Sequence, residues 1–359
     1  MQILSIARAF PIHGSPVSYI QFGQGHINTT YKVETDCGNA YILQQINQFV
    51  FRQPEKLMEN AFAVTKYLKN QPDVNTILDF LPTVNGQLCY QDAHGEYWRM
   101  YHYIPGKTME LVKKAEDLYR CGLGFGKFQM LLADFPADSL HETIPNFHNT
   151  IDRYCQFHDS ISANAAGRKQ EVQEEINYLL YMEDRAGALQ RKLEAGILPL
   201  RVTHNDTKLS NLLFNAEDQP ICVLDLDTVM PGLSAMDFAD AIRTGAATAA
   251  EDEPDVSKMG LNLQYFQAFA RGFLEGATTL TAEEVHSLAE GALIITLEQA
   301  VRFLKDYLDG DIYYHIAYPT HNLVRARTQI KVAQDMVLKM QAMQDIVLSI
   351  KEGENSSCY

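Results

Sequence analysis

The chain has 359 residues, 46% of them hydrophobic, with a formal net charge of -15. That length supports a sizeable core and exceeds the usual single-domain size, so two lobes are expected. The acidic balance argues against a sequence-independent nucleic-acid surface, which needs surplus Lys and Arg, and no apolar run is long enough to span a bilayer.

Residues 1–16 lack both a basic start and a long apolar segment, and the six cysteines include no C-x-x-C pair. Reduced thiols and a cytoplasmic location are therefore expected. Residues 19–22, 29–35 and 41–46 read as strands, the last two joined by the turn Asp36-Cys37-Gly38-Asn39. Residues 54–69 place Leu57, Ala61, Val64 and Leu68 on one face and are predicted helical. Two more strands, 87–91 and 97–104, flank Asp92-Ala93-His94-Gly95, which makes five strands and one helix. Beyond Pro105-Gly106 the pattern becomes mostly helical, so a lobe boundary is expected at 104/105, dividing the chain into 1–104 and 105–359.

Gly23 and Gly25 lie between strand-like runs, where backbone N–H groups can face an anion without side-chain obstruction. An ordinary hairpin turn accounts for such a pair equally well. A second glycine series, Gly122, Gly124 and Gly126, sits among Leu118, Phe125 and Leu132 and reads as close helix packing.

The chemistry concentrates between Val202 and Arg243. His204-Asn205-Asp206-Thr207-Lys208-Leu209-Ser210-Asn211 has the spacing H-x-D-x-x-x-x-N, and the apolar run Ile221-Cys222-Val223-Leu224 then ends on Asp225. Phosphoryl transfer needs one carboxylate on the attacking hydroxyl and separate oxygen ligands for Mg²⁺. Asp206 suits the first role, Asn211 and Asp225 the second, and Lys208 adds a cation near the transferring group. Asp227 either approaches the metal or orients Asp225.

The stretches G-Q-G-H-I-N-T-T-Y, Y-I-L-Q-Q, L-R-V-T-H-N-D-T-K-L-S-N and L-D-L-D-T-V-M-P-G resemble the aminoglycoside phosphotransferase and choline kinase superfamily. Within it, E-D-E-P-D-V-S-K, R-F-L-K-D-Y-L-D-G-D-I-Y and H-N-L-V-R-A-R-T-Q-I-K are similar to the N-acetylhexosamine 1-kinase branch, and the likeness runs from about residue 19 to about 335. The resemblance implies an α+β, bilobal, protein-kinase-like fold: a small five-stranded antiparallel N-terminal lobe with one helix, and a larger, mainly helical C-terminal lobe. It implies ATP as cosubstrate, one or two Mg²⁺ ions, and a small sugar as acceptor, with neither nucleic acid nor membrane as partner. It also implies that adenine meets the backbone at Tyr101 to Tyr103, and that Arg302, Tyr313, Tyr314, His26 and Asn28 touch the sugar beside Asp206.

One position departs from the general kinase pattern. The third-strand Lys or Arg that holds phosphates is Gln44, whose amide can donate a hydrogen bond but cannot neutralise charge. The sugar kinases share this Gln. For Arg302 an i,i+4 ion pair with Glu298 competes with the sugar role, and Arg325 and Arg327 are weaker candidates. Asp237 and Asp240 are expected to brace the catalytic loop or Arg243, and the run Glu251 to Asp255 to be a solvated acidic loop. A kinase of choline, homoserine or an aminoglycoside, or an inactive kinase fold used as a binding module, stays open as an alternative.

Overall fold

The computed structural model describes residues 2–23, 27–72, 74 and 76–356. Its first third contains α1 (Gln2–Ala7), β1 (Pro16–Gln21), β2 (Thr29–Thr35), β3 (Ala40–Ile46), α2 (Pro54–Leu68), β4 (Phe80–Leu81), β5 (Tyr90–Gln91) and β6 (Tyr97–His102). Helices α3 (Ala115–Leu131), α4 (Thr150–Ala163), α5 (Gln173–Ala186) and α6 (Ala188–Glu194) follow. Short strands β7 (Arg201–Thr203), β8 (Leu212–Phe214), β9 (Pro220–Val223) and β10 (Met230–Gly232) carry the motif region. The chain closes with α7 (Ser234–Gly245), α8 (Leu263–Gly276), α9 (Ala282–Asp309) and α10 (His321–Ser356).

Two compact units divide the chain. The first holds Met1–Thr108, Asp134–Pro145 and Leu212–Pro231, and the second holds Met109–Ala133, Asn146–Asn211 and Gly232–Tyr359. The division is therefore discontinuous in sequence.

In the first unit the strands run in the order β1-β2-β3-β6-β4, with β5 also pairing β6. All these pairings are antiparallel. Strand alternation sorts the two faces. Val33, Tyr41, Leu43, Trp98 and Met100 pack with Ile6, Ala7 and Phe10 of the α1 region, which puts the next residues along, Gln44 and Arg99, on the other face. The α+β architecture with an antiparallel sheet and a helical C-terminal region is the expected one.

The sheet adds to the expectation in two places, the strand β4 and the helix α1. Only two residues of β4 pair, too short a run for alternation to reveal. The segment expected as strand 87–91 begins pairing only at Tyr90, because Gln87 bonds back to Thr83 through its N–H (3.0 Å to Oγ1) and its carbonyl (2.7 Å from Thr83 N).

In the second unit the long helices supply the core. α9 starts at a capping box formed by Thr281 and Glu284 and stops at Gly310, whose φ of 99° is the left-handed conformation glycine tolerates. Its residues Leu288, Ala292, Thr296, Phe303 and Tyr307 are all buried. Among the described residues no helix is long and apolar enough to cross a membrane.

The glycines of α3 are packing residues, as expected. A Cβ on Gly126 would come 3.0 Å from Ala277 N, and one on Gly122 would come 2.7 Å from Phe273 N. On the facing helix α8, a Cβ on Gly272 would come 2.8 Å from Leu123 N and one on Gly276 2.6 Å from Lys127 N. The two backbones thus meet directly, and a Cβ at any of these glycines would have to push the helices apart. Gly272→Ala is expected to cost about 1–3 kcal/mol, measured as a lower urea midpoint; an unchanged midpoint would show that the helices can separate freely.

Candidate active site

The catalytic loop leaves β7 at a buried His204 and turns at Asn205, whose φ is +62°. Asp237, on the first turn of α7 and without solvent exposure, sets that turn. Its carboxylate accepts from the backbone N–H of His204 (2.8 Å) and Asn205 (2.7 Å), and from the Gln129 amide of α3 (2.8 Å). Asp240, one turn further along, accepts from Thr207 N–H at 3.0 Å and meets Arg243 at 3.4 Å. Both aspartates brace the loop, in keeping with their expected role. The His204 ring lies against the edges of Phe125 and Phe128 of α3, with centroids 5.3 and 6.0 Å away.

Asp206 emerges from this frame with three hydrogen bonds from two side chains. Lys208 Nζ is 2.7 Å from its Oδ2, and Asn211 Nδ2 donates both to Oδ2 (2.8 Å) and to the Asp206 carbonyl (2.9 Å). Burial acts to raise the Asp206 carboxyl. The Lys208 charge and hydrogen bond, His204 and the Asn211 amide outweigh it and hold the group below its ordinary 3.8. Asp206 is therefore an anion at neutral pH, suited to accept a proton late and to orient a hydroxyl.

The first unit holds the other candidate oxygen ligands. The hairpin β8–β9 ends its apolar run before Asp225, which sits at φ +54° in the left-handed region. That conformation is uncommon for a non-glycine residue and is enriched in Asp and Asn. Asp227 is buried and committed elsewhere: Arg99 ion-pairs with its Oδ1, and Asn28 Nδ2 donates to Oδ2 at 2.5 Å.

Arg99 is the functional-region residue that sequence reasoning missed. Its visible signal was an Arg inside Tyr97-Trp98-Arg99-Met100, an otherwise apolar and aromatic strand. Gln44 lies opposite it in the β3–β6 register and accepts from Arg99 Nε at 2.9 Å, while Gln44 Nε2 donates to Thr30 Oγ1 at 2.9 Å. The carboxylates of α2 are spent on neighbours. Glu55 accepts from Tyr97 OH at 2.5 Å, and Glu59 meets His141 at 2.6 Å.

Gly23 has φ +76° and open space around a would-be Cβ. Gly25 and His26 lie outside the described residues. At the expected adenine position, the N–H groups of His102 and Tyr103 already donate to Asp79 O and Ala40 O. The Tyr101 ring packs on Phe80, and Tyr103 packs on Phe22 beneath Lys32.

The acceptor candidates Arg302, Tyr313 and Tyr314 belong to the second unit. Glu298 is buried and bonds His148 Nδ1 (2.9 Å) and Thr150 Oγ1 (2.7 Å). Arg302 instead donates to Gln299 Oε1 (3.1 Å), which leaves the surface ion pair with Glu298 unformed, and Gln299 Nε2 donates to Tyr314 OH (3.1 Å). The guanidinium lies near the Phe147 and Tyr314 rings, at 5.9 and 5.8 Å.

Close by, Arg153 donates to Phe147 O at 2.9 Å, and burial together with the like charge of Arg302 disfavours its charge. Among the described residues neither arginine has an ion-pair partner. Asp306, one turn beyond Arg302, shapes the Tyr313–Tyr314 segment by accepting from Ile312, Tyr313 and Tyr314 N–H at 2.8 to 3.0 Å. Arg327 pairs with Glu175, and Arg325 donates to His315 O. The acidic run is largely neutralised, with Glu251 on Arg243, Asp252 on His321 and Glu253 on Lys258.

Mg²⁺ is a hard cation that binds through one or two carboxylates together with substrate phosphates. Asn211 and Asp225 are donors of that chemistry. Among the described residues no three His, Cys, Asp or Glu side chains group to hold a metal by themselves.

Solved structures that align with this chain include kinases. A microcompartment-associated aminopropanol kinase aligns with TM-score 0.64 at 17% identity, over 94% of this chain and 98% of its own. The amicoumacin kinase hAmiN, in complex with AMP-PNP, Ca²⁺ and Ami, aligns with TM-score 0.63 at 12% identity over 92% of each chain. A choline kinase from Cryptosporidium parvum aligns with TM-score 0.53 at 14% identity, over 99% of this chain and 96% of its own. The fold is thus that of the protein-kinase-like phosphotransferases. Residues 18–279 match the model of the phosphotransferase enzyme family, and the chain belongs to that family.

Asp237→Ala is expected to leave the His204 and Asn205 amides unsatisfied, at about 1–3 kcal/mol for each buried group. Chemical denaturation would measure the loss, and a stability equal to that of the parent protein would remove Asp237 as the brace of the loop.

Proposed function

We propose that this protein is an ATP-dependent anomeric kinase that phosphorylates N-acetylglucosamine or N-acetylgalactosamine at O1 by direct in-line transfer. The observation that carries the acceptor class is the charge around Arg302. Two neighbouring guanidiniums, neither in an ion pair among the described residues, lie beside Phe147 and Tyr314, and the nearby Glu298 carboxylate is bonded to His148 and Thr150; this balance disfavours an amine and suits an uncharged acceptor rich in lone pairs. The acidic groups that an aminoglycoside or choline would need are spent: Glu298 on His148 and Thr150, and Glu251 on Arg243.

In this reading residues 1–104 form the nucleotide-binding lobe and 105–359 the catalytic and sugar-binding lobe. Gly23, Gly25, Gln44, Tyr101 and Tyr103 border the nucleotide, while Arg302, Tyr313, Tyr314, His26 and Asn28 border the sugar. Asp206 orients the anomeric hydroxyl, which the ring oxygen makes more acidic than an ordinary alcohol, and accepts its proton as the bond to phosphorus forms. Lys208 holds the Asp206 carboxylate charged and adds a cation at the transferring group. Asn211 and Asp225 would hold Mg²⁺, which supplies charge neutralisation on the leaving phosphates when bound. The cytoplasm, where ATP is available, is the matching location.

A coupled ADP assay across N-acetylglucosamine, N-acetylgalactosamine, glucose, kanamycin and choline tests the acceptor. Turnover with an acetamido sugar and a 1-phosphate product is expected; turnover with kanamycin or choline alone would overturn the sugar assignment. Asp206→Asn should fold and bind ATP yet lose about 10²–10⁴-fold in kcat. Arg302→Leu should raise the sugar KM by about tenfold or more while leaving the ATP KM in place, and equal changes in both constants would remove Arg302 from the sugar site.

A further inference from the structure

Gln44 poses a question that the sheet itself answers. The position opposite it on β6 is Arg99, 2% exposed and wholly within the first unit. A continuous hydrogen-bonded chain runs from Thr30 Oγ1 to Gln44, from Gln44 Oε1 to Arg99 Nε, from Arg99 to Asp227, and from Asp227 Oδ2 to Asn28. Asn28 Oδ1 in turn accepts from Asn47 N–H at 3.0 Å. The chain therefore links β2, β3, β6 and the turn after Asp225.

We propose that Arg99 takes the place of the missing strand lysine as a positioning residue: it holds Asp227 and sets a buried positive charge behind Asp225, and Gln44 is neutral because Arg99 is there. Resting on the nucleotide-binding part of the functional reading, the inference assigns the second acid of Leu224-Asp225-Leu226-Asp227 to the guanidinium rather than to a metal ion. Burial disfavours the Arg99 charge, and the nearby charges of Asp227 and Asp225 restore it. A lysine at position 44 would bring a second cation against one carboxylate in a water-poor space, where like charges are strongly repelled. Arg99 is too enclosed to grip a phosphate itself, so its effect on nucleotide passes through the groups it orients. Those groups are the carboxylate of Asp227, the amide of Asn28 at the end of the glycine loop, and the field at Asp225.

The test compares Gln44→Lys, Arg99→Lys and the charge-removed pair Arg99→Gln with Asp227→Asn, reading melting temperature and ADP affinity by calorimetry, with and without Mg²⁺. The double variant guards against misfolding from an unpaired buried Asp227. Gln44→Lys is expected to lower the melting temperature and weaken ADP binding. Arg99→Lys should keep binding within a few-fold. The double variant should fold and bind Mg²⁺–ADP at least tenfold more weakly, with a smaller loss in the absence of metal. Tighter nucleotide binding by Gln44→Lys at unchanged melting temperature would overturn the proposal, as would a double variant that binds like the parent. If the parent protein fails to bind ADP at all, the nucleotide assignment falls together with this inference, whereas normal parental binding with indifferent variants removes this inference alone.

Discussion

A single carboxylate without solvent exposure, Asp237, holds the geometry on which the catalytic loop depends. Its oxygens take the N–H groups of two consecutive residues, His204 and Asn205, and the second of those adopts a left-handed backbone. Such a turn has no sheet partner of its own, and buried amides left unbonded are costly. The same carboxylate reaches Gln129, so the loop is referred to α3 as well as to α7. With the backbone held, Asp206 needs only Lys208 and Asn211 to fix its orientation and its charge. One carboxylate, Asp206, is thus positioned by a second, Asp237, through the backbone between them.

The other electrostatic feature is how the surplus acid is spent. A net charge of -15 would suit a receptor for amines if the acidic side chains faced a cleft. Instead, Glu251, Asp252, Glu253, Glu284 and Glu298 each have a cationic or imidazole partner. Arg153 and Arg302, beside α9, form no ion pair among the described residues and feel the Glu298 charge only at longer range. Solved structures that share the fold include kinases named for aminopropanol and choline. Fold and acceptor chemistry are therefore separable.

Much of the architecture was legible because its signals are local. Alternation in 29–35 and 41–46, the helical stripe through Leu57, Ala61, Val64 and Leu68, and the spacing of His204, Asp206 and Asn211 each depend on neighbours within a few residues. The glycines of α3 were readable as packing for the same reason, since they lie among apolar residues at helical spacing. What escaped were features set by distant partners. β4 is a two-residue strand that exists only because β6 offers it an edge, and α1 is held by apolar contacts with the sheet. Arg99 looked like an exception in a strand until its partners Asp227 and Gln44 were in place. The fate of Glu298 was undecidable from spacing, because i,i+4 geometry permits a pair with Arg302 but says nothing of His148 and Thr150, which arrive from the turn before α4 and from its first residue.

The seam between α3 and α8 carries a consequence for how such a protein diversifies. An ordinary helix interface is built of interlocking side chains, so a change on one side is absorbed by a matching change on the other. At Gly122, Gly126, Gly272 and Gly276 the contact is main chain against main chain, so those four positions have no side chain to exchange and are effectively closed to gradual revision. Beside them Tyr119 meets Glu275 and Arg271 through side chains, and there the seam is still open to paired change.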